Sequence, residues 1–395
     1  KMLPLLAALT IQSSIPDPQW LREKLEEVRA KYKLPALAAA LVWEGQVKAA
    51  SAVGVRKWGD PTPTQRTDAF HLGSVMKTMT ATLVAKMVDN KILSWNTTLE
   101  IMFPELATTM RPEYRKVTVA QLLAHTSGMP YQPRTPEYET DRESREAPGR
   151  RYAYVKAALA DPPEAEPGTK MIYGGGHILV SSYLERTLGR PYESLMRKEV
   201  FEPLGMTSAG YGDMATPGKV DAPWHHIWKD GAPVPVDPDL SQRIQARSPV
   251  GRNGFCSIIA LANFAAMQLQ GARGQSKFLS AASFAQFQKL EPHSSHSVGW
   301  VVNPTSWAGG LTLWHNGSIG KNLAVVTMEM KQGFASCVLT NVGDGDTGKA
   351  CDEVQFWLLD QAKSRYSTIS TSYTARSTRW SSYRASTRTR LPIRE

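Results

Sequence analysis

Apolar residues recur at helical spacing in Trp20, Leu21, Leu25 and Val28, among Glu, Lys and Arg, and predict a helix over residues 18–31. Residues 36–43 and 46–53 then run apolar or alternate. They read as strands joined at Glu44-Gly45, a hairpin signal. Helical periodicity returns over residues 74–90, with Val75, Met79, Leu83, Val84, Met87 and Val88 on the apolar side. Further helices are expected at 117–125, 180–188, 192–200 and 258–269. The stretch 130–168 is Pro-rich and charged, and reads as loop with one helix near 154–160. Residues 209–251 are rich in Pro, Gly and Trp and read as an irregular excursion. Strand-like runs follow at 311–314, 323–330 and 335–340, and 354–362 reads as a last helix. Strands thus lie at both ends and helices in the middle, with a helix near each terminus to cover the sheet faces.

The bulk numbers narrow the function classes. A chain of 395 residues with 42% hydrophobic composition can bury a large core as one large domain or two interleaved ones. The pattern divides into an α/β domain from 18–72 and 255–365, a mainly helical insertion at 73–254, and a tail from 366. The sequence has no run of about 20 apolar residues, so it predicts no transmembrane segment. Three cysteines, Cys256, Cys337 and Cys351, are too few for a disulfide scaffold, and none has metal-ligand spacing. No phosphate loop or dinucleotide fingerprint is present, and no cofactor or metal is expected. The net charge of +10 suggests a nucleic-acid partner until it is located: residues 366–395 hold six arginines and one acid, Glu395, hence +5 of it. That Ser/Thr/Arg-rich tail reads as disordered, the body is only mildly basic, and no nucleic acid is expected. Residues 1–8, Lys-Met-Leu-Pro-Leu-Leu-Ala-Ala, resemble the end of a signal-peptide apolar region. They point to a periplasmic or secreted protein, with a packed N-terminal arm and a cytoplasmic protein as the alternative.

Ser74-Val75-Met76-Lys77 carries the chemistry. Residues three apart share a helical face, so the Lys77 amine can reach back to the Ser74 hydroxyl. A weak nucleophile beside a buried amine is the simplest activated serine. The same four residues also fit a capping serine and a solvated lysine. Tyr173 opens Tyr173-Gly174-Gly175-Gly176, whose glycines permit close approach of a ligand. A phenol there can shuttle a proton, or it can be a core tyrosine beside a connector. His315-Asn316-Gly317-Ser318 interrupts a strand pattern. An edge strand there would pair with an extended substrate and offer amides to an oxyanion. A hairpin corner with a solvent-facing histidine is the plainer alternative. His125 reads as structural, satisfied by backbone groups where its helix ends at Gly128. Adjacent His225 and His226 diverge and make no metal pair, and His71 reads as packing near Ser74. Trp224 and Trp228 line either an acyl pocket or a packed surface loop.

The order of these motifs resembles the serine β-lactamase and penicillin-binding-protein superfamily, in the branch of class C β-lactamases, D-alanyl-D-alanine carboxypeptidases and family VIII carboxylesterases. The resemblance runs from Phe70-His-Leu-Gly-Ser-Val-Met-Lys77 through Leu122-Leu-Ala-His-Thr-Ser-Gly128 and Pro167-Gly-Thr-Lys-Met-Ile-Tyr173. It continues through Phe201-Glu-Pro-Leu-Gly-Met206, Pro249-Val-Gly251, Gly299-Trp300 and His315-Asn-Gly317, and covers roughly residues 18–362. It implies an α+β fold, an antiparallel sheet flanked by the terminal helices with an all-helical domain inserted, and a site in the cleft between. It implies Ser74 as acylated nucleophile, Lys77 and Tyr173 sharing base and acid work, and the amides of Ser74 and Ser318 as oxyanion hole. His315, Asn316 and Gly317 would line the substrate.

Two departures steer the substrate reading. His315 stands where the family more often has lysine, so a substrate carboxylate loses its permanent counter-ion. Gly175 stands where the family often has asparagine, so a substrate amide loses a side-chain partner. Both favour a small neutral ester, handled by a carboxylesterase. The alternatives are a β-lactamase, a D,D-carboxypeptidase or D-aminopeptidase acting on an amide, an acyltransferase, and a catalytically idle binding homologue. Asn96-Thr97-Thr98 and Asn316-Gly317-Ser318 are glycosylation sequons on paper. Modification at Asn316 would block the cleft, which argues against exposure to that machinery.

Overall fold

The computed structural model describes residues 15–134, 147–238, 248–251, 253–305 and 310–366. The signal-like start and the tail beyond Tyr366 lie outside them. Eleven strands form among the described residues. In chain order they are β1 (Ala36–Trp43), β2 (Gln46–Gly54), β3 (Ala69–His71), β4 (Gly210–Tyr211), β5 (His225–Lys229) and β6 (Ala232–Val236). β7 (Gly254–Ser257), β8 (Val301–Thr305), β9 (Gly310–Gly317), β10 (Leu323–Glu329) and β11 (Phe334–Thr340) follow. Six make one antiparallel sheet in the order β2-β1-β11-β10-β9-β8. The first and last of these strands along the chain pair within it, where Leu37 to Trp43 of β1 face Thr340 to Phe334 of β11. Glu44 and Gly45 both take positive φ, 51° and 73°, as a two-residue hairpin of matching twist requires.

Side chains alternate across a strand, and β1 divides its residues between two cores. Leu37, Ala39 and Leu41 join Leu21, Leu25 and Val28 of the Gln19–Lys31 helix and Val354 and Leu358 of the Thr347–Tyr366 helix. Ala36, Ala38, Ala40 and Val42 point the other way, into the larger core shared with the Ile258–Ala272 helix. Each leucine so buried is worth about 1.5–3 kcal/mol relative to exposure. The two terminal helices therefore cover one face together, with Trp20 and Trp357 only 5.5 Å apart. This corrects the expectation that the terminal helices cover the faces of the sheet. The other face belongs to the internal Ile258–Ala272 helix, which can lie close because β1 offers it alanines.

The Met76–Asp89 helix is buried almost all round, beyond the single apolar side expected from its pattern. Its polar residues fit because Thr78, Thr80 and Thr82 donate to the carbonyls of Val75, Met76 and Thr78. The charged stretch expected to be mostly loop holds a helix from Ala147 to Ala160. Arg151 on it is fully buried between Glu185 and Glu193, so its charge does not mark solvent. The 209–251 excursion also contains regular structure: the β5–β6 hairpin, and β4 in a three-stranded sheet with β7 and β3.

Candidate active site

β3 delivers the chain to Ser74, which sits on a single 3-10 turn, Gly73–Val75, leading directly into the Met76–Asp89 helix. Lys77 follows one turn on, only 4% exposed. Its Nζ donates to Ser74 Oγ at 3.1 Å. Among the described residues no carboxylate pairs with this amine. The Tyr173 hydroxyl donates to the same Ser74 Oγ at 3.0 Å, across 99 residues of chain. The Lys77 Nζ stands 4.8 Å from the centre of the Tyr173 ring. A hydroxyl, an amine and a phenol thus share one point, and two groups able to exchange a proton lie within hydrogen-bond reach of Ser74 Oγ.

Two glycines let a second backbone segment pass against this turn. A Cβ on Gly317 would lie 2.4 Å from the Ser74 amide nitrogen, and one on Gly73 would lie 2.5 Å from that of Ser318. Gly73 also takes φ +51°, which favours glycine. The Ser74 N–H, at the start of a helical turn, has no intrahelical acceptor. Ser74 and Ser318 therefore bring their amides to the same crossing, the arrangement an oxyanion needs.

β9 is not an edge strand, which corrects one expectation: β10 and β8 flank it. β8 begins opposite Trp314, however, so His315, Asn316 and Gly317 run past it and pair only with β10 on the other side. Asn316 is exposed at this free margin. His315 is buried, not solvent-facing. Its Nδ1 lies 2.6 Å from the Asn316 carbonyl. A carbonyl only accepts, so Nδ1 carries the proton and Nε2 keeps a lone pair. Burial, with His296 and Lys77 nearby, pushes the His315 pKa down to about 3. The imidazole is neutral at physiological pH.

His315 belongs to a group that sequence reading did not assemble. His296 lies 6.2 Å from it, ring centre to ring centre, and 5.3 Å from His125, which is 5.3 Å from His177. Burial is the main cause holding His296 down to about 4, and holding His125 and His177 well below the ordinary histidine range. His125 Nδ1 accepts from the Gly174 amide at 3.3 Å, and its ring lies 4.3 Å from that of Tyr173. It ties the connector that carries Tyr173. No spacing along the chain marks His177 or His296, and only the fold brings them here.

Gly175 has its own reason to lack a side chain. A Cβ there would fall 1.8 Å from the Tyr154 hydroxyl. Tyr154 is fully buried and donates to the Tyr131 carbonyl at 2.8 Å. The other singled-out residues pack. His226 Nδ1 lies 3.0 Å from the Asn341 carbonyl, and its Nε2 accepts from the Trp58 amide at 2.9 Å. His225 meets the His71 ring edge-on at 5.2 Å. Trp224 is buried and covered by Lys57 at 3.7 Å, and Trp228 packs against the terminal-helix core.

The chain is similar to known proteins along most of its length. Penicillin-binding protein 4 of Amycolatopsis lactamdurans is 24% identical over 335 residues, 82% of this chain and 84% of that protein. Lovastatin esterase of Penicillium rubens is 28% identical over 167 residues, 39% of this chain and 42% of the esterase. The solved structure of EstCE1, a hydrolase with promiscuous acyltransferase activity, shares the fold at a TM-score of 0.71 and 17% identity. It covers 86% of this chain and 98% of its own. The α+β architecture is accordingly the β-lactamase/transpeptidase-like fold. The family model named Beta-lactamase matches residues 21–355, which takes in both ends that build the sheet and everything folded between them, and the chain belongs to that family.

Proposed function

We propose that this protein is a serine hydrolase that works through an acyl-serine intermediate and acts on small neutral esters. The observation that carries the reading is the convergence of Lys77 Nζ and Tyr173 Oη on Ser74 Oγ, at 3.1 and 3.0 Å. Ser74 Oγ bonds to the acyl carbon as its proton passes to Lys77. The oxyanion forms where the Ser74 and Ser318 amides meet. The acyl–oxygen bond then breaks, and the departing oxygen takes the Tyr173 proton, which Lys77 restores. Water repeats the cycle on the acyl-enzyme. His315, buried and neutral, supplies no cation for a substrate carboxylate, and position 175 supplies no side chain for a substrate amide. Both features favour neutral esters over β-lactams and D-amino-acid peptides.

Exposure to a fluorophosphonate or p-nitrophenyl ester, followed by mass spectrometry, tests this. An adduct on Ser74, absent in Ser74→Ala, is expected. Absence of an adduct on folded protein rejects the chemistry. Turnover of nitrocefin or of a D-alanyl-D-alanine peptide comparable to ester turnover rejects the substrate preference. A second reading, transfer of the acyl group to an alcohol, draws support from the acyltransferase activity named for EstCE1. Ester products formed with an added alcohol would reveal it.

A further inference from the structure

Backbone forms one wall of the slot that holds the Lys77 side chain. A Cβ on Gly251 would lie 2.8 Å from Nζ and 3.2 Å from Cγ, so this residue runs along the chain that carries the amine. The residue before it, Val250, is buried, and its carbonyl accepts from Thr80 Oγ1 at 3.1 Å. Thr80 stands three residues beyond Lys77 on the Met76–Asp89 helix. The same Oγ1 lies 3.1 Å from the Met76 carbonyl and 2.7 Å from the Tyr192 hydroxyl. A threonine hydroxyl has one proton, and carbonyls only accept. The Thr80 proton is therefore committed to the carbonyls, and Tyr192 donates to Thr80. Tyr192 is itself fully buried, with its amide anchored on Glu185 at 2.7 Å.

We propose that the Tyr192 hydroxyl positions Lys77 for catalysis, acting through Thr80 and the Val250–Gly251 backbone. This rests on the reading of Lys77 as the group that takes the Ser74 proton. A helix alone does not settle a threonine, whose side chain divides between two rotamers because Oγ1 can return to a carbonyl of its own helix. The Tyr192 proton selects the rotamer in which Oγ1 also meets Val250. The bond to Val250 then holds Gly251 against the Lys77 side chain, whose amine donates to Ser74 Oγ at 3.1 Å. Glycine at 251 leaves room for the amine but brings no side chain to hold it, so the placement of this backbone decides how the amine sits. The Tyr192 hydroxyl meets Thr80, one residue removed from the reacting group, and is a positioning residue.

The test is steady-state hydrolysis of p-nitrophenyl acetate, with the rate of fluorophosphonate labelling of Ser74 measured beside it. Tyr192→Phe keeps the ring and loses the proton. It should lower kcat and the labelling rate about tenfold, part of the roughly 100-fold that a 1 Å misplacement costs, with KM nearly unchanged. Thr80→Val keeps the shape and loses the hydroxyl, and should lower kcat at least as far. Thr80→Ser, which restores the hydroxyl, should recover most of that loss. Tyr192→Phe added to Thr80→Val should slow the enzyme no further, because both act along one path. If Tyr192→Phe is poorly folded, the two Thr80 variants decide the question in its place. Wild-type kcat in Tyr192→Phe or in Thr80→Val, a loss confined to KM, or losses that multiply in the double variant overturn the proposal, while labelling of Ser74 leaves the hydrolase reading standing. Failure to label Ser74 in the wild type overturns that reading itself.

Discussion

Gly251 faces the Lys77 side chain so closely that a Cβ at residue 251 would sit 2.8 Å from Nζ and 3.2 Å from Cε. Nζ, the atom met most closely, is the far end of a flexible chain, and Cγ is met at 3.2 Å, so alanine is accommodated by moving the Lys77 side chain and its amine. The amine is also the group that touches Ser74 Oγ. Gly251→Ala should therefore lower kcat for an ester by up to about 100-fold, the scale of a 1 Å misplacement, with little change in melting temperature. A variant that keeps wild-type kcat would show that the Lys77 position is not critical.

Tyr173→Phe removes one of the two groups that meet Ser74 Oγ and leaves the ring between Lys77 and His125. Loss of a general acid–base group costs roughly 10²–10⁴-fold in rate. Steady-state ester hydrolysis should show that loss in kcat, with KM nearly unchanged. A loss confined to KM would make Tyr173 a binding residue.

Five buried histidines give the fold an acid limit. His226, His296 and His315 are held down to about 4, 4 and 3, and His125 and His177 well below the ordinary value, burial being the first cause in each. An unfolded histidine takes its proton near pH 6.5, so below that pH the unfolded chain binds more protons than the native one. Stability is full above about pH 6.5 and should fall as pH drops toward 4. Glu329 runs the other way: burial raises its carboxyl to about 7, so its share of stability declines between about pH 4.5 and 7. One carboxyl does not offset five imidazoles. Melting temperature recorded from pH 8 to pH 4 should fall in acid, and Glu329→Gln should gain relative to wild type at the alkaline end. A flat profile would mean that these rings are not buried in solution.

Sequence pattern exposes what is local. The mostly apolar runs of β1 and β11 are plain because each strand is packed on both faces, and the Ser74–Lys77 pairing is plain because three residues make nearly one helical turn. What it hides is tertiary. β3 and β7 have three and four residues and pair across the helical insertion, Phe70 opposite Cys256, so neither has the length to show a period. Gly175 reads as a missing hydrogen bond, but its space belongs to Tyr154, 21 positions earlier, and only the fold shows the exchange. The histidines around Tyr173 come from four separate segments. Charge misleads for the same reason, since a buried arginine and a solvated one look alike in one dimension.

Arg151 is the clearest case. Its guanidinium is fully buried, with Nε donating to Glu185 at 2.9 Å and two nitrogens donating to Glu193 at 2.9 Å. The Glu185 carboxylate, itself nearly buried, also accepts from the Tyr192 amide at 2.7 Å. This joins the Ala147–Ala160 helix to the start of the Tyr192–Met196 helix, and Tyr192 reaches the catalytic helix through Thr80 at 2.7 Å. Removing one partner of a buried pair leaves the other charge without compensation and costs about 3–5 kcal/mol. Arg151→Met should lose stability on that scale in urea, because Glu185 stays buried. Adding Glu185→Gln should recover part of the loss, because the stranded charge goes with it. A double variant as unstable as the sum of the two single ones would place the cost in packing and not in the buried charge.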